Sequence, residues 1–189
     1  MSSYPVRVVV TDDLRRSRLT VFFRILLSIP HFLWLSLWGL VAFLAAVVNW
    51  FATLFAGRSP AGLHEFLARF LRYSTQVNAY AFLLADPFPG FAGAPGYPVD
   101  LEVDPPEPQR RLTVFFRVIL AIPAVLIGRI LFYLLELLSF LAWFVCLFTG
   151  SMPKGMRDLG VFCLRYDQQA QAYLFLLTER YPPLSSPDA

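Results

Sequence analysis

Charged residues are scarce in this 189-residue sequence. Only 15% of the residues are Asp, Glu, Lys or Arg, whereas 57% are hydrophobic and 16% are aromatic. A soluble domain of ordinary composition carries about 25% charged residues to cover its surface. The shortage excludes a disordered chain and predicts that part of the surface faces lipid instead of water.

Cysteine and histidine are also rare, with two residues of each. Cys146 and Cys163 lie in or beside apolar segments, which favours buried thiols over a disulfide framework. His31 and His64 have no second ligand at metal-binding spacing, and the sequence lacks a serine-nucleophile elbow, a phosphate-binding loop and a dinucleotide fingerprint. We therefore predict no enzyme activity, no cofactor and no metal.

The net charge is +3, and the basic residues are separated from the aromatic blocks. This pattern favours anionic lipid as a partner and argues against nucleic acid. Residues 25–57 contain no charge at all, although about 18 apolar residues already suffice for a transmembrane candidate. We expect this apolar block in the mature protein, because a polar stretch precedes it and it is too long for a signal peptide.

The chain contains the same unit twice. At an offset of 93, residues 4–89 align with 97–182 without a gap and share 33 identities in 86 positions. We therefore divide the chain into a first repeat, 4–89, a Gly/Ala/Pro linker, 90–96, and a second repeat, 97–182, which together form one membrane domain. Each copy opens with a valine-rich strand, 5–11 or 98–103. After the apolar block, residues 63–84 show the spacing of an amphipathic helix suited to the bilayer interface.

Each apolar block crosses the membrane once or twice, and charge favours two crossings. One straight helix over 33 residues would be about 50 Å long, whereas the hydrocarbon core is about 30 Å thick. A hairpin places every basic residue except Arg129 on one side, as the positive-inside rule requires. Gly39 and Gly128 are the turn candidates. The sequence thus predicts an all-α integral membrane protein with two short strands, each copy being a strand, a transmembrane helical hairpin and an amphipathic interfacial helix.

The repeated motifs resemble one known family. Ile-Pro-x-x-x-Leu, Trp-Phe-x-x-Leu-Phe-x-Gly-x-x-Pro-x-Gly, Leu-Arg-Tyr, Ala-Tyr-x-Phe-Leu-Leu and Tyr-Pro-Pro are similar to the bacterial family catalogued as domain of unknown function 4389. The resemblance covers both copies and nearly the whole chain. It implies a multi-pass protein of the bacterial cytoplasmic membrane, and the charge pattern then predicts both termini in the cytoplasm.

Few residues are candidates for a site. Arg129 and Glu136 are ionisable groups inside an apolar block, seven residues apart and hence on one helix face. They are the candidate intramembrane polar site, unless Arg129 simply faces solvent near a turn at Gly128. The candidate lipid head-group contacts are basic residues near the starts of the apolar blocks, namely Arg15, Arg16, Arg18, Arg24, Arg110, Arg111 and Arg117.

Three functions fit these features. The first is a non-enzymatic accessory or scaffold subunit of a membrane assembly, bound to other membrane proteins or to further copies of itself. The second is a membrane-shaping or lipid-binding protein, because an amphipathic helix beside each apolar block would occupy one leaflet more than the other. The third is a small transporter or channel, which would need an oligomer to enclose a pore.

Overall fold

The computed structural model describes residues 4–185, which form two strands and five helices. The strands are β1, Val6–Val10, and β2, Val99–Val103. The helices are α1, Arg18–Ala56, α2, Ala61–Ala81, α3, Arg111–Phe115, α4, Arg117–Thr149, and α5, Lys154–Leu174. Each copy therefore supplies one strand, one long apolar helix and one shorter helix, and in the second copy the five-residue α3 precedes the long helix.

Local sequence explains where the helices end and begin. α1 and α4 stop at Gly57 and Gly150, which both adopt φ 73°, a left-handed conformation that suits glycine. Pro60 and Pro153 stand directly before α2 and α5, where the missing backbone N–H costs no helical hydrogen bond. The two copies thus turn from the long helix into the short one by the same device.

Each long helix is continuous, so the predicted transmembrane hairpin is wrong. α1 passes through Gly39, and α4 passes through Gly128, without a turn. The two glycines serve helix packing instead. A Cβ at Gly39 would lie 3.7 Å from the ring of Phe70, and a Cβ at Gly128 would lie 3.4 Å from Oδ1 of Asp167. The 39 residues of α1 give it a length of roughly 58 Å.

The elements stack in three layers. β1 and β2, the strands that the valine-rich segments predicted, form an antiparallel pair and make the first layer. α2 and α5 pack on this sheet as the second layer, and α1 and α4 pack on α2 and α5 as the third. The hydrophobic clusters between the layers mix both copies, since Val21 and Leu84 pack with Leu135 and Leu164. The two copies therefore form one folded body.

An approximate two-fold axis relates the copies. In the sheet, Val8 pairs with Leu101, its own counterpart at the offset of 93. Tryptophan indoles make equivalent hydrogen bonds between copies, from Trp50 to the carbonyl of Val114 at 2.8 Å and from Trp143 to that of Val21 at 2.9 Å. These contacts set α1 and α4 antiparallel, so the axis runs perpendicular to the long helices and to the strands.

α2 and α5 form an internal layer, which corrects the prediction that they lie in the bilayer interface. α1 covers one face of α2 and the sheet covers another, so residues 75–80 are all buried. Polar side chains of α2 form hydrogen bonds with residues of β2. Gln76 donates to Asp100 at 3.0 Å, and Arg72 donates to the carbonyl of Leu101 at 2.9 Å. The amphipathic pattern reflects these internal contacts rather than a water–lipid boundary.

Candidate functional site in the groove between the long helices

Arg24 is buried, with 1% of its surface exposed. Its Nη1 donates to the carbonyls of Tyr80 at 2.9 Å and Ala85 at 2.8 Å, and its Nη2 binds Asp86 at 2.9 Å. The guanidinium lies 4.3 Å from the centre of the Tyr80 ring. After α2 the chain turns at Leu83, whose φ of 62° leaves carbonyls outside the helix ladder. Arg24 supplies the donors that these carbonyls need.

Arg117 makes the equivalent contacts in the second copy. Its Nη1 donates to the carbonyl of Thr178 at 3.1 Å, and the guanidinium lies 4.1 Å from the centre of the Tyr173 ring. Arg16 is buried as well and donates to the carbonyl of Leu83 at 2.8 Å. Arg16, Arg24 and Arg117 are therefore internal ligands of the backbone, and not the lipid head-group contacts that the sequence predicted.

The other four predicted head-group contacts remain on the surface. Arg15 and Arg18 are exposed at the start of α1, and Arg110 and Arg111 are exposed at the start of α3. Because α1 and α4 are antiparallel, these two pairs lie at opposite ends of the third layer. Their binding to lipid stays a prediction.

The outer surface of the third layer is apolar. Among residues 4–185, all but seven of the large hydrophobic side chains that are exposed belong to α1, α3 and α4. By length and composition, α1 and α4 are each apolar enough to cross a membrane, with mean hydropathy 2.0 and 2.4. A soluble monomer rarely exposes an apolar patch of more than a few hundred Å². By this measure the outer surface of the third layer differs from the surface of an ordinary soluble monomer.

A groove separates the two long helices on this face. At one end it contains a cavity of about 500 Å³. Side chains of both long helices and the end of α5 line it, namely Phe43, Ala46, Val47, Trp50, Phe51, Val118, Leu174 and Phe175. The lining is aliphatic and aromatic, so the cavity is suited to a hydrocarbon chain.

Arg129 and Glu136 lie on the same flank of α4 as the cavity residue Val118. They follow Val118 by 11 and 18 residues, which are close to three and five full helical turns. Both side chains are exposed. Among residues 4–185 neither makes a hydrogen bond or ion pair with the other, because their positions are roughly 10 Å apart along the helix. The sequence predicted their shared face, and their function stays a prediction.

Asp167 of α5 lies beneath Arg129 and was missed by the sequence analysis. Gln171 donates to its carboxylate at 2.7 Å and Gln168 donates at 3.3 Å. Burial raises the pKa of the Asp167 carboxyl to about 6, although these hydrogen bonds and the Arg129 charge act in the opposite direction. The first copy has Ser74 at the equivalent position, and this difference between the copies was the available signal.

The raised pKa predicts pH-dependent stability. Since the unfolded pKa is about 3.9, folding favours the protonated carboxyl, and the free energy of unfolding falls as pH rises from about 4 to 6. The loss is about 3 kcal/mol for a shift of about two units. Asp167→Asn keeps the amide contacts and should remove this loss. Chemical unfolding at pH 4 and 7.5 measures the free energy of unfolding of both proteins. If it changed equally with pH in Asp167→Asn and in the wild type, Asp167 would not be the group responsible. Asp158→Asn, at an exposed position of α5, is the control.

Histidines and cysteines form no metal site in the described part of the chain, where no group of three His, Cys, Asp or Glu side chains comes together. His31 is buried and its Nδ1 lies 2.8 Å from the Tyr73 hydroxyl. His64 binds the carbonyl of Asp104 at 2.9 Å. Cys146 and Cys163 are free and buried.

The fold and the groove define a helical protein of two copies. Its outer layer of long helices is apolar, and its opposite side, the sheet, is polar. The chain belongs to the family described as Domain of unknown function (DUF4389), which matches residues 18–92 and again residues 111–186. Each match covers the long helix and the following helix of one copy, which confirms the tandem resemblance seen in the sequence. No curated protein and no solved structure matches the chain.

Proposed function

We propose that the protein is a non-enzymatic, lipid-binding protein of the bacterial cytoplasmic membrane that lies flat on one leaflet and shapes it. The observation that carries this proposal is the division of the surface. The third layer, α1 and α4, presents apolar side chains along its whole length, whereas the sheet on the opposite side carries charged groups such as Arg7, Glu102 and Asp104. Such one-sidedness is typical of proteins that bury one face in the bilayer interface.

The packing of α2 along α1 argues against a spanning orientation. Arg24 of α1 contacts Tyr80 near the end of α2, and Trp38 lies 6.3 Å from Phe66 near its start. If α1 stood upright in the bilayer, α2 and the sheet would lie at the same depth. Each charged side chain there would cost several kcal/mol. Lying flat, the long helices reach lipid while the other two layers stay in water.

The charges support the same orientation. Upright, the antiparallel helices would place Arg15 and Arg18 on one side of the membrane and Arg110 and Arg111 on the other. Lying flat, all four border the same leaflet, where each contributes about 1 kcal/mol of attraction to anionic lipid. The proposal thus keeps the basic residues on the cytoplasmic side without a hairpin.

Accessibility of single cysteines tests the orientation. In full-length protein with Cys146 and Cys163 replaced by alanine, cysteines at the exposed positions Asp13 and Glu107 mark opposite ends of the long helices. In inside-out membrane vesicles we expect both to react equally with an impermeant thiol reagent, while a cysteine at Leu44 in the outer layer resists it. Reaction of only one end would mean that the helices span the membrane.

The accessory or scaffold function is the second candidate, and Glu136 favours it. This carboxylate lies in the apolar layer without an ion-pair partner among residues 4–185. A cation from another chain would stabilise it there. Purification in mild detergent that returns neither a second protein nor an oligomer would contradict this candidate. A transporter or channel would need several copies around a pore.

A further inference from the structure

The groove combines one cation with one apolar cavity. Arg129 is exposed on the flank of α4 that leads to the cavity, in the apolar layer, where Glu136 is the other charged side chain between residues 118 and 149. Arg129 interacts electrostatically with Asp167 beneath it but forms no ion pair with that carboxylate, so its exposed planar guanidinium stays open to a phosphate. Arg129 and the cavity residue Val118 are 11 residues apart, roughly 16 Å along the helix. One leaflet of the hydrocarbon core is about 15 Å thick, so an acyl chain has the length that joins the two.

We propose that the groove holds one anionic phospholipid, with its phosphate on Arg129 and one acyl chain in the cavity between Phe43 and Val118. This inference rests on the proposed lipid-binding function and names its ligand. The first-copy end of the groove is apolar at Phe43, whereas the equivalent position in the second copy is Glu136. A carboxylate there repels a phosphate and disfavours an acyl chain. The lipid is therefore oriented, with its chain directed toward Phe43 and away from Glu136.

The asymmetry of the copies supplies matched variants. Phe43→Glu puts into the cavity the carboxylate that the second copy carries at the equivalent position. Phe140→Glu is its control, because Phe140 lies on the other long helix, is 62% exposed against 61% for Phe43, and does not line the cavity. Arg129→Gln removes the cation, and Arg69→Gln removes an exposed arginine of α2 that does not line the cavity. Val118→Trp fills the cavity while keeping it apolar, which provides a second test if Phe43→Glu fails to fold.

Native mass spectrometry of the full-length protein in mild detergent measures the bound lipid. With dipalmitoyl phosphatidylglycerol as the probe, we expect one bound molecule for the wild type, Phe140→Glu and Arg69→Gln. We expect at least a tenfold loss of affinity for Phe43→Glu, Arg129→Gln and Val118→Trp. Phosphatidylcholine with the same chains should bind more weakly than phosphatidylglycerol.

Three results would overturn the inference: equal retention by Phe43→Glu and Phe140→Glu, equal retention of the two phospholipids, or a co-purified fatty acid in place of a phospholipid. Flotation of the wild type with vesicles of phosphatidylglycerol separates this inference from the proposed function. A protein that floats but retains no lipid in detergent contradicts only the groove site. A protein that does not float contradicts the lipid-binding function itself.

Discussion

Arg24→Met is expected to lower the free energy of unfolding by about 3–5 kcal/mol, the usual loss when one partner of a buried ion pair is removed. Methionine fills much of the space but donates no hydrogen bond. The carbonyls of Tyr80 and Ala85 and the carboxylate of Asp86 would then lose the group that binds them. Denaturation of the detergent-solubilised protein by urea measures the change.

Arg18→Met is the matched control, since Arg18 lies on the same helix and is exposed. Its expected effect is within about 0.5 kcal/mol, as for surface substitutions in general. Arg24→Lys should restore only part of the stability, because an ammonium does not reproduce the guanidinium fork. Equal stability of Arg24→Met and Arg18→Met would show that Arg24 is not a structural clamp.

Three glutamates in the outer layer should abolish binding to the membrane. Leu33, Leu44 and Leu126 are exposed on α1 and α4, and each glutamate would cost about 1.5 kcal/mol between the interface and the midplane. The total of about 4.5 kcal/mol corresponds to a loss of about two thousandfold in affinity. Vesicle flotation of the triple variant measures it.

A second triple variant is the control. Val9, Tyr181 and Leu184 are exposed apolar residues outside the long helices, and glutamates there add the same charge. This variant should float like the wild type. If both triple variants lost binding equally, net charge rather than the apolar layer would account for the effect.

The duplication allowed much of the fold to be predicted. Self-alignment located both strands, which the structure confirms, and the structure adds that they pair antiparallel. The hairpin was inferred wrongly because bilayer thickness and the positive-inside rule, not local sequence, were used to place a turn. Residues 25–57 contain no strong helix breaker except Pro30, which α1 accommodates. Glycine was interpreted as a turn signal, whereas Gly128 allows α5 to approach α4 closely.

The buried arginines were harder to predict, because their partners are backbone carbonyls. A carbonyl carries no sequence signal, and Arg24 and Arg117 near helix starts resemble residues that extend toward lipid head groups. One clue was present: Tyr80 and Tyr173 recur at the same offset as the two arginines, and each tyrosine ring stacks against one of them. When an arginine and a tyrosine recur together in both copies, they indicate a contact between the two side chains within the fold.

The register of the sheet implies that one repeat is complementary to itself. Val8 lies opposite its own counterpart, Leu101, so two separate single-repeat chains would meet through the same contacts as a symmetric homodimer. In such a dimer every residue of the repeat occurs twice, so an arginine at the position of Arg129 would be present in both halves. Joining the repeats in one chain releases this constraint. Arg129, Glu136 and Asp167 can then exist in one half only, while the other half has Ser36, Phe43 and Ser74 at the equivalent positions.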